Sequence, residues 1–125
     1  MTQLAAQPLV AASQTTGTWT AVCRYADLLP ERGVAALVGE AQVAVFRTFD
    51  GRLYAISNQD PFTGAFVLAR GIVGSRGDIP TVASPLHKQV FDLRTGACLD
   101  DPQTAVVSYP VQDCDGLVEI WTPSG

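Results

Sequence analysis

The sequence predicts an all-β domain, and three observations support this. Short runs of β-branched and aromatic residues recur from Trp19 to Trp121, and Gly, Pro, Asn or Asp bounds each of them. No stretch of about 11 residues or more keeps a 3.6-residue apolar period. Evenly spaced short strands of this kind are typical of a small sandwich or barrel. Residues 1–17 lack the pattern, so we expect a flexible N-terminal tail followed by one domain over 18–125.

Turn residues place the strands within this domain. Asp50-Gly51 and Asp115-Gly116 lie between apolar runs and supply the positive φ that two-residue hairpin turns require. Short helical turns are compatible with 27–30 and 63–68, and the terminal strands place Trp19 and Trp121 as core anchors. The predicted strands are Trp19–Arg24, Val34–Val38, Gln42–Phe49, Arg52–Ser57, Ile72–Ser75, Thr81–Ser84, Gln89–Leu93, Ser108–Gln112 and Leu117–Trp121.

Composition excludes several classes of protein. With 47% hydrophobic and 16% charged residues, the 125-residue chain is too apolar to be disordered and long enough to bury one core. A net charge of −4 opposes contact with a phosphate backbone, so we expect no nucleic-acid partner. No window reaches the roughly 18 apolar residues that span a bilayer. The first basic residue is Arg24, too late for a secretory signal, so we expect a cytoplasmic protein without membrane contact.

Candidate metal ligands are few. The chain has 3 Cys and 1 His, and Cys23, Cys98 and Cys114 are irregularly spaced without a C-x-x-C pair. This count fits neither a disulfide framework nor a zinc site, and we expect the thiols to be small buried side chains in strands.

The segment from Ser57 to Pro102 contains two proline loops in a recognisable order. It contains Asn58-Gln59-Asp60-Pro61-Phe62, then Arg70-Gly71-Ile72-Val73-Gly74, then Ser84-Pro85-Leu86-His87-Lys88-Gln89-Val90-Phe91-Asp92-Leu93-Arg94-Thr95-Gly96, and finally Leu99-Asp100-Asp101-Pro102. This order resembles a Rieske iron–sulfur domain, in which C-P-H, G-x-V, C-P-x-H and F-D-x-x-T-G follow one another. The resemblance implies a Rieske-like small β-sandwich or barrel that keeps two remnants of the cluster loops.

The ligands of that pattern are mostly missing. The two cysteine positions fall on Asp60 and Ser84 and the first histidine position on Phe62, and only His87 survives. A Rieske [2Fe–2S] cluster needs two thiolates on one iron and two imidazoles on the other. The resemblance therefore implies that this chain holds no cluster of its own.

These departures are themselves specific. Asp-Pro-Phe in the first loop, Ser-Pro-Leu in the second and Arg-Gly-Ile-Val-Gly between them resemble the small subunit of assimilatory NAD(P)H-dependent nitrite reductase. That family implies a two-component cytoplasmic enzyme of nitrate assimilation, which reduces nitrite to ammonium with six electrons from a nicotinamide. FAD, siroheme and an iron–sulfur cluster would lie on the large catalytic subunit, and this chain would dock on it without a catalytic site. Two alternatives remain open: a Rieske-type ferredoxin with unconventional ligands and a free-standing binding module.

The side chains at the two loop tips allow two interpretations. Phe62 and Leu86 lie at the tips of the two loops, where exposed apolar groups mark contact with a partner. The alternative for Phe62 is that its ring turns inward and fills the volume that a cluster would occupy. His87 is expected to be an exposed histidine beside Lys88, since a lone imidazole binds metal weakly. The candidate docking loops thus contain Asp60, Phe62, Ser84, Leu86 and His87.

Overall fold

A computed structural model describes residues 16–124. The part of the predicted tail at 1–15 and the terminal Gly125 lie outside the described residues. Short 3-10 turns occupy Tyr25–Asp27 and Leu68–Arg70, each displaced by a few residues from the predicted helical turns. The strands in the described part are β1 (Gly17–Arg24), β2 (Arg32–Val38), β3 (Ala41–Arg47), β4 (Leu53–Ser57), β5 (Ile72–Arg76), β6 (Ile79–Ala83), β7 (Val90–Asp92), β8 (Ser108–Tyr109), β9 (Val111–Cys114) and β10 (Leu117–Pro123).

These strands form three small antiparallel sheets, which confirms the all-β prediction. The outer sheet has the order β1-β10-β9, the middle sheet β2-β3-β4-β8 and the loop sheet β5-β6-β7. One apolar core combines side chains of the outer and middle sheets, and a second combines those of the middle and loop sheets. The middle sheet is therefore buried on both faces.

The sequence of β3 explains this double burial. Val43 and Val45 enter the core shared with the outer sheet, whereas Ala44 and Phe46 enter the core shared with the loop sheet. All four side chains are fully buried, because alternate residues of a strand point to opposite faces and all are apolar here. This strand joins the two halves of the domain.

The two predicted hairpins differ in their turns. Asp115 and Gly116 both have positive φ (53° and 88°) between Cys114 and Leu117, as expected for a two-residue turn. At Asp50-Gly51 only the glycine has positive φ, and the amide of Thr48 donates to the Arg52 carbonyl across a three-residue loop. The prediction of a two-residue turn at this site was therefore wrong by one residue.

Pro110 divides one predicted strand into two. Ser108 and Tyr109 pair with β4 in the middle sheet, whereas Val111–Cys114 pair with β10 in the outer sheet. Proline has no N–H for a ladder, so pairing changes sheet at this residue.

The prediction for the tryptophans was wrong. Trp19 is 41% exposed and lies opposite Trp121 in the β1–β10 register. Because β1 is the edge strand of the outer sheet, Trp19 stays largely exposed, and neither tryptophan belongs to the two apolar cores. The cysteines also differ from expectation, since Cys98 is buried but Cys23 is half-buried and Cys114 is exposed. Within 16–124, no helix is long and apolar enough to cross a bilayer.

Candidate functional site

The candidate site is built by two neighbouring loops. The first loop, residues 58–66, follows β4 of the middle sheet, and the second loop, residues 84–89, connects β6 to β7 of the loop sheet. Each contains a polar residue followed by proline, Asp60-Pro61 in the first loop and Ser84-Pro85 in the second. The packing of two different sheets thus brings together segments that are distant in sequence.

The first loop is closed by its own hydrogen bonds. The Asp60 amide donates to the Ala65 carbonyl at 2.8 Å, and the Gly64 amide donates to the Asp60 carbonyl at 2.8 Å. Gly64 has φ of +81°, which glycine adopts at little cost. The carboxylate Oδ1 of Asp60 accepts the Phe62 amide at 2.8 Å, so the side chain also fixes the turn.

The second loop repeats this pattern with other residues. The Ser84 amide donates to the Gln89 carbonyl at 2.9 Å, and the Lys88 amide donates to the Ser84 carbonyl at 3.0 Å. Lys88 takes the position of positive φ, at +62°. Ser84 Oγ accepts the Leu86 amide at 3.3 Å. The two loops therefore share one backbone conformation, with Asp60 equivalent to Ser84 and Phe62 equivalent to Leu86.

A buried hydrogen bond joins the two loops. The hydroxyl Oγ of Ser84 donates to Oδ2 of Asp60 at 2.5 Å, and the two residues are 1% and 0% exposed. Nearby, the buried Asn58 accepts the Ala69 amide at 2.7 Å and fixes the exit of the first loop. The inter-loop contact lies at the two positions that the Rieske pattern gives to cysteines.

The two tip side chains differ in their contacts. Phe62 is 40% exposed, and its ring centroid lies 6.4 Å from that of the buried Phe91, with the rings tilted by 47°. Leu86 is 47% exposed. The ring therefore packs on the core with one part and presents the rest to solvent, and contact with a partner stays a prediction. His87 and Lys88 are exposed, as expected for His87.

Three exposed apolar residues in or beside the loops were missed in the sequence. Phe66 forms an isolated bridge with Gln59, Ile72 lies opposite Ala83 in the β5–β6 register, and Val107 accepts a hydrogen bond from the last residue of β4. The signal for Ile72 was available, since residue alternation in a strand next to the second loop places one of Ile72 and Val73 outward. We call the five side chains together the apolar rim: Phe62, Phe66, Ile72, Leu86 and Val107, 40–69% exposed.

The residues at the loop positions do not fit a [2Fe–2S] cluster. They supply one imidazole, from His87, and no thiolate, while the phenyl ring of Phe62 has no donor atom. The carboxylate of Asp60 and the hydroxyl of Ser84 are hard oxygen donors that are already bonded to each other. No group of three or more His, Cys, Asp and Glu side chains within the described part of the chain is arranged to hold a metal ion.

The turn after β7 is stabilised by a buried carboxylate. Asp92 accepts the Arg94 amide at 2.8 Å, and its oxygens also accept the guanidinium at 3.1 and 3.0 Å. These bonds, with the Arg94 side chain contributing most, lower the pKa of Asp92 despite its burial. The turn holds β7 and with it Phe91, on which the tip residue Phe62 packs.

Comparisons of the domain and of the whole chain with known proteins indicate one family. The model of the Rieske-like [2Fe-2S] domain matches residues 18–121. The nitrite reductase (NADH) small subunit of Escherichia coli is 44% identical over 103 residues, 82% of this chain and 95% of that protein. A crystal structure of the protein assigned as the NADH-dependent nitrite reductase small subunit of Mycobacterium tuberculosis superposes with a TM-score of 0.84 at 44% identity, covering 87% of this chain and 98% of that one.

A further relative carries the same domain inside a longer chain. The nitrite reductase [NAD(P)H] large subunit of Klebsiella oxytoca is 40% identical over 100 residues, which are 80% of this chain but 10% of that protein. The matched domain and the three similar proteins lead to one conclusion. This chain belongs to the family of small subunits of NAD(P)H-dependent nitrite reductase, built on a Rieske-like domain.

Proposed function

We propose that this chain is the non-catalytic small subunit of a cytoplasmic NAD(P)H-dependent nitrite reductase and docks on the large catalytic subunit. Similarity over most of the chain to the Escherichia coli small subunit supports this role. The Klebsiella oxytoca large subunit contains a related domain within one polypeptide, which supports a direct association between such a domain and the catalytic chain.

The observation that carries the proposal is the buried contact between Asp60 and Ser84. In a cluster-binding Rieske domain both positions need thiolates. Here they hold a carboxylate and a hydroxyl that bond to each other at 2.5 Å. The chain then carries no electrons through a centre of its own, and its contribution to the enzyme is contact with the partner.

The docking face in this proposal is the apolar rim around the two loops. Five of the eleven exposed large apolar side chains in the described part of the chain lie on or beside the loops. Exposed apolar groups concentrated in one region are typical of a protein interface. The carboxylate of Asp60 is buried while Lys88 is exposed, so the charge that the loops present outward is positive.

The redox groups of the enzyme belong to the partner in this account. FAD, siroheme and an iron–sulfur cluster on the large subunit would carry six electrons, two from each of three NAD(P)H molecules, to nitrite, which is reduced to ammonium. The small subunit would stabilise the large subunit in its active conformation. No residue of this chain is assigned a catalytic role.

Iron and sulfide analysis of the purified chain, together with co-purification with the large subunit, tests the proposal. We expect a colourless protein with neither element in stoichiometric amount, which elutes with the large subunit on gel filtration. Stoichiometric iron and acid-labile sulfide with a visible absorption band would instead support the ferredoxin alternative. Failure to bind the large subunit at any tested concentration would refute the subunit role.

A further inference from the structure

The hydrogen bond between Ser84 and Asp60 is one link of a longer chain of bonds. The Phe62 amide donates to Oδ1 of Asp60, Ser84 Oγ donates to Oδ2 of the same carboxylate, and the Leu86 amide donates to Ser84 Oγ. Three consecutive bonds thus connect the backbone of one exposed tip residue to the backbone of the other. Both central groups are buried, so water does not compete for these bonds.

We propose that Asp60 and Ser84 have taken over the mechanical role of the cluster: they cross-link the two loops and hold Phe62 and Leu86 in one relative position for docking. In a Rieske centre the cluster itself joins the two loops, because each loop supplies ligands to it. Here the same two positions are joined by a carboxylate and a hydroxyl. Asp60 and Ser84 are positioning residues, and the docking part of this inference rests on the proposed function.

The need for a cross-link follows from the topology. The first loop leaves the middle sheet after β4, and the second loop lies within the loop sheet between β6 and β7. Backbone hydrogen bonds close each loop on itself, but they do not fix one loop against the other. A buried hydrogen bond to a carboxylate is among the stronger single contacts available for this purpose.

Amide hydrogen exchange on the isolated chain tests the cross-link without the partner. In Ser84→Ala the hydroxyl is removed from the second loop only. If the bond couples the loops, exchange at Phe62 and Gly64 of the unmutated first loop should also accelerate, by about tenfold or more. Acceleration restricted to the second loop would overturn the proposal.

Thr63→Ala is the matched control. Thr63 Oγ1 accepts the Ala65 amide at 3.2 Å within the first loop, a side-chain bond of the same kind without a partner in the second loop. This variant should leave exchange at Leu86 and Lys88 within about twofold of the wild type. Equal acceleration of both loops in this control would mean that the loops respond to any local loosening, which contradicts a specific cross-link.

A second variant serves if Ser84→Ala does not fold. Asp60→Asn keeps the shape of the side chain and one oxygen for the Phe62 amide, but its NH2 group can only donate to Ser84 Oγ, and the charge that strengthens the inter-loop bond is lost. It should accelerate exchange in both loops by a smaller factor than Ser84→Ala, about two- to tenfold. Unchanged exchange at Leu86 in this variant would count against the inter-loop bond.

Binding to the large subunit tests the positioning role. Ser84→Ala keeps all five side chains of the apolar rim, yet it should weaken binding by about fivefold or more because Phe62 and Leu86 no longer share one arrangement. Equal affinity of the variant and the wild type would refute positioning for docking. If the wild-type chain itself does not bind, the proposed function fails, whereas the exchange result still decides whether the loops are cross-linked.

Discussion

The first and second loops have the same backbone conformation but have diverged in their side chains. Position +2 is Phe62 in one and Leu86 in the other, and the residue of positive φ is Gly64 in one and Lys88 in the other. Only the second loop keeps a histidine that matches the Rieske pattern. Backbone bonds and the side chains that open each turn are therefore sufficient to keep the conformation of each loop. Loss of metal ligands therefore does not require loss of the loops.

Rebuilding the ligands is the strongest test of this comparison. The variant Asp60→Cys/Phe62→His/Ser84→Cys, with the native His87, supplies two thiolates and two imidazoles. Because the side chains at 60 and 84 already meet, we expect it to bind a [2Fe–2S] cluster after anaerobic reconstitution, measured as iron, sulfide and visible absorption.

The same variant with His87→Ala is the control, since it lacks the second imidazole and should bind no Rieske-type cluster. A folded triple variant that binds no iron would contradict the claim that the loops keep the geometry of a cluster site.

Truncation of the two tip residues separates docking from stability. Phe62→Ala should lower the free energy of unfolding by about 1–2 kcal/mol, since part of the ring packs on Phe91. Leu86→Ala should change it by less than about 0.5 kcal/mol, because that side chain is about half exposed. Both should weaken binding to the large subunit by about tenfold, measured by titration calorimetry together with urea denaturation.

Phe49→Ala offers a control for these truncations. Among the large apolar residues of 16–124, Phe49 is the most exposed, at 79%, and it lies in the β3–β4 turn at the opposite end of β4 from the first loop. The variant Phe49→Ala should leave the affinity for the large subunit unchanged. A loss of affinity equal to that of Leu86→Ala would move the docking face away from the apolar rim.

Exchanging the residues of positive φ tests whether backbone strain differs between the loops. Lys88→Gly should raise the free energy of unfolding by about 1 kcal/mol, and Gly64→Lys should lower it by a similar amount. A Cβ at Gly64 would lie 3.9 Å from the nearest atom, Nε2 of Gln59, so the cost there is conformational rather than steric. Urea denaturation measures the free energy of unfolding of both variants. Lys88→Asn removes the positive charge without introducing glycine, so it separates the effect of charge from that of the backbone. Effects of the same sign in the two loops would contradict their equivalence.

The last prediction concerns the carboxylate of Asp92, which closes the turn after β7. The pKa of Asp92 is lowered in the folded state, so its stabilisation is complete above the unfolded pKa of about 4 and is lost as the pH falls through the lowered value. Asp92→Asn should therefore cost about 1 kcal/mol at pH 7, since Arg94 is half exposed, and this cost should shrink as the pH falls below about 4. A difference from wild type that does not depend on pH would contradict this account.

Local features of the fold could be predicted because single residues determine them. Asp115-Gly116 specifies its turn through two positive φ values, and the unbroken apolar run Val43–Phe46 in β3 agrees with burial of the strand on both faces. The prediction for Trp19 was wrong because exposure depends on whether a strand lies at the edge of its sheet, which a sequence window does not contain. Pro110 carried a usable signal, since a proline inside a predicted strand argues for a break in pairing.

The site was predictable in part. The order of motifs identified Asp60 and Ser84 as positions that lack a cluster ligand. It did not indicate that the two side chains bond to each other. That contact joins residues 24 positions apart and depends on how the middle and loop sheets pack. One signal was present: Asp and Ser before proline are both turn-forming residues whose side chains accept a nearby amide. Their occurrence at equivalent positions indicated matching loops.

Reconstitution of the enzyme tests the central claim most directly. The purified small subunit, treated with chelator and shown to contain neither iron nor sulfide, would be titrated into the purified large subunit while nitrite-dependent oxidation of the nicotinamide is followed. We predict a saturable rise in activity that levels off at a fixed ratio of the two chains. No change in activity at any ratio, or a rise only when the small subunit carries iron and sulfide, would contradict the account.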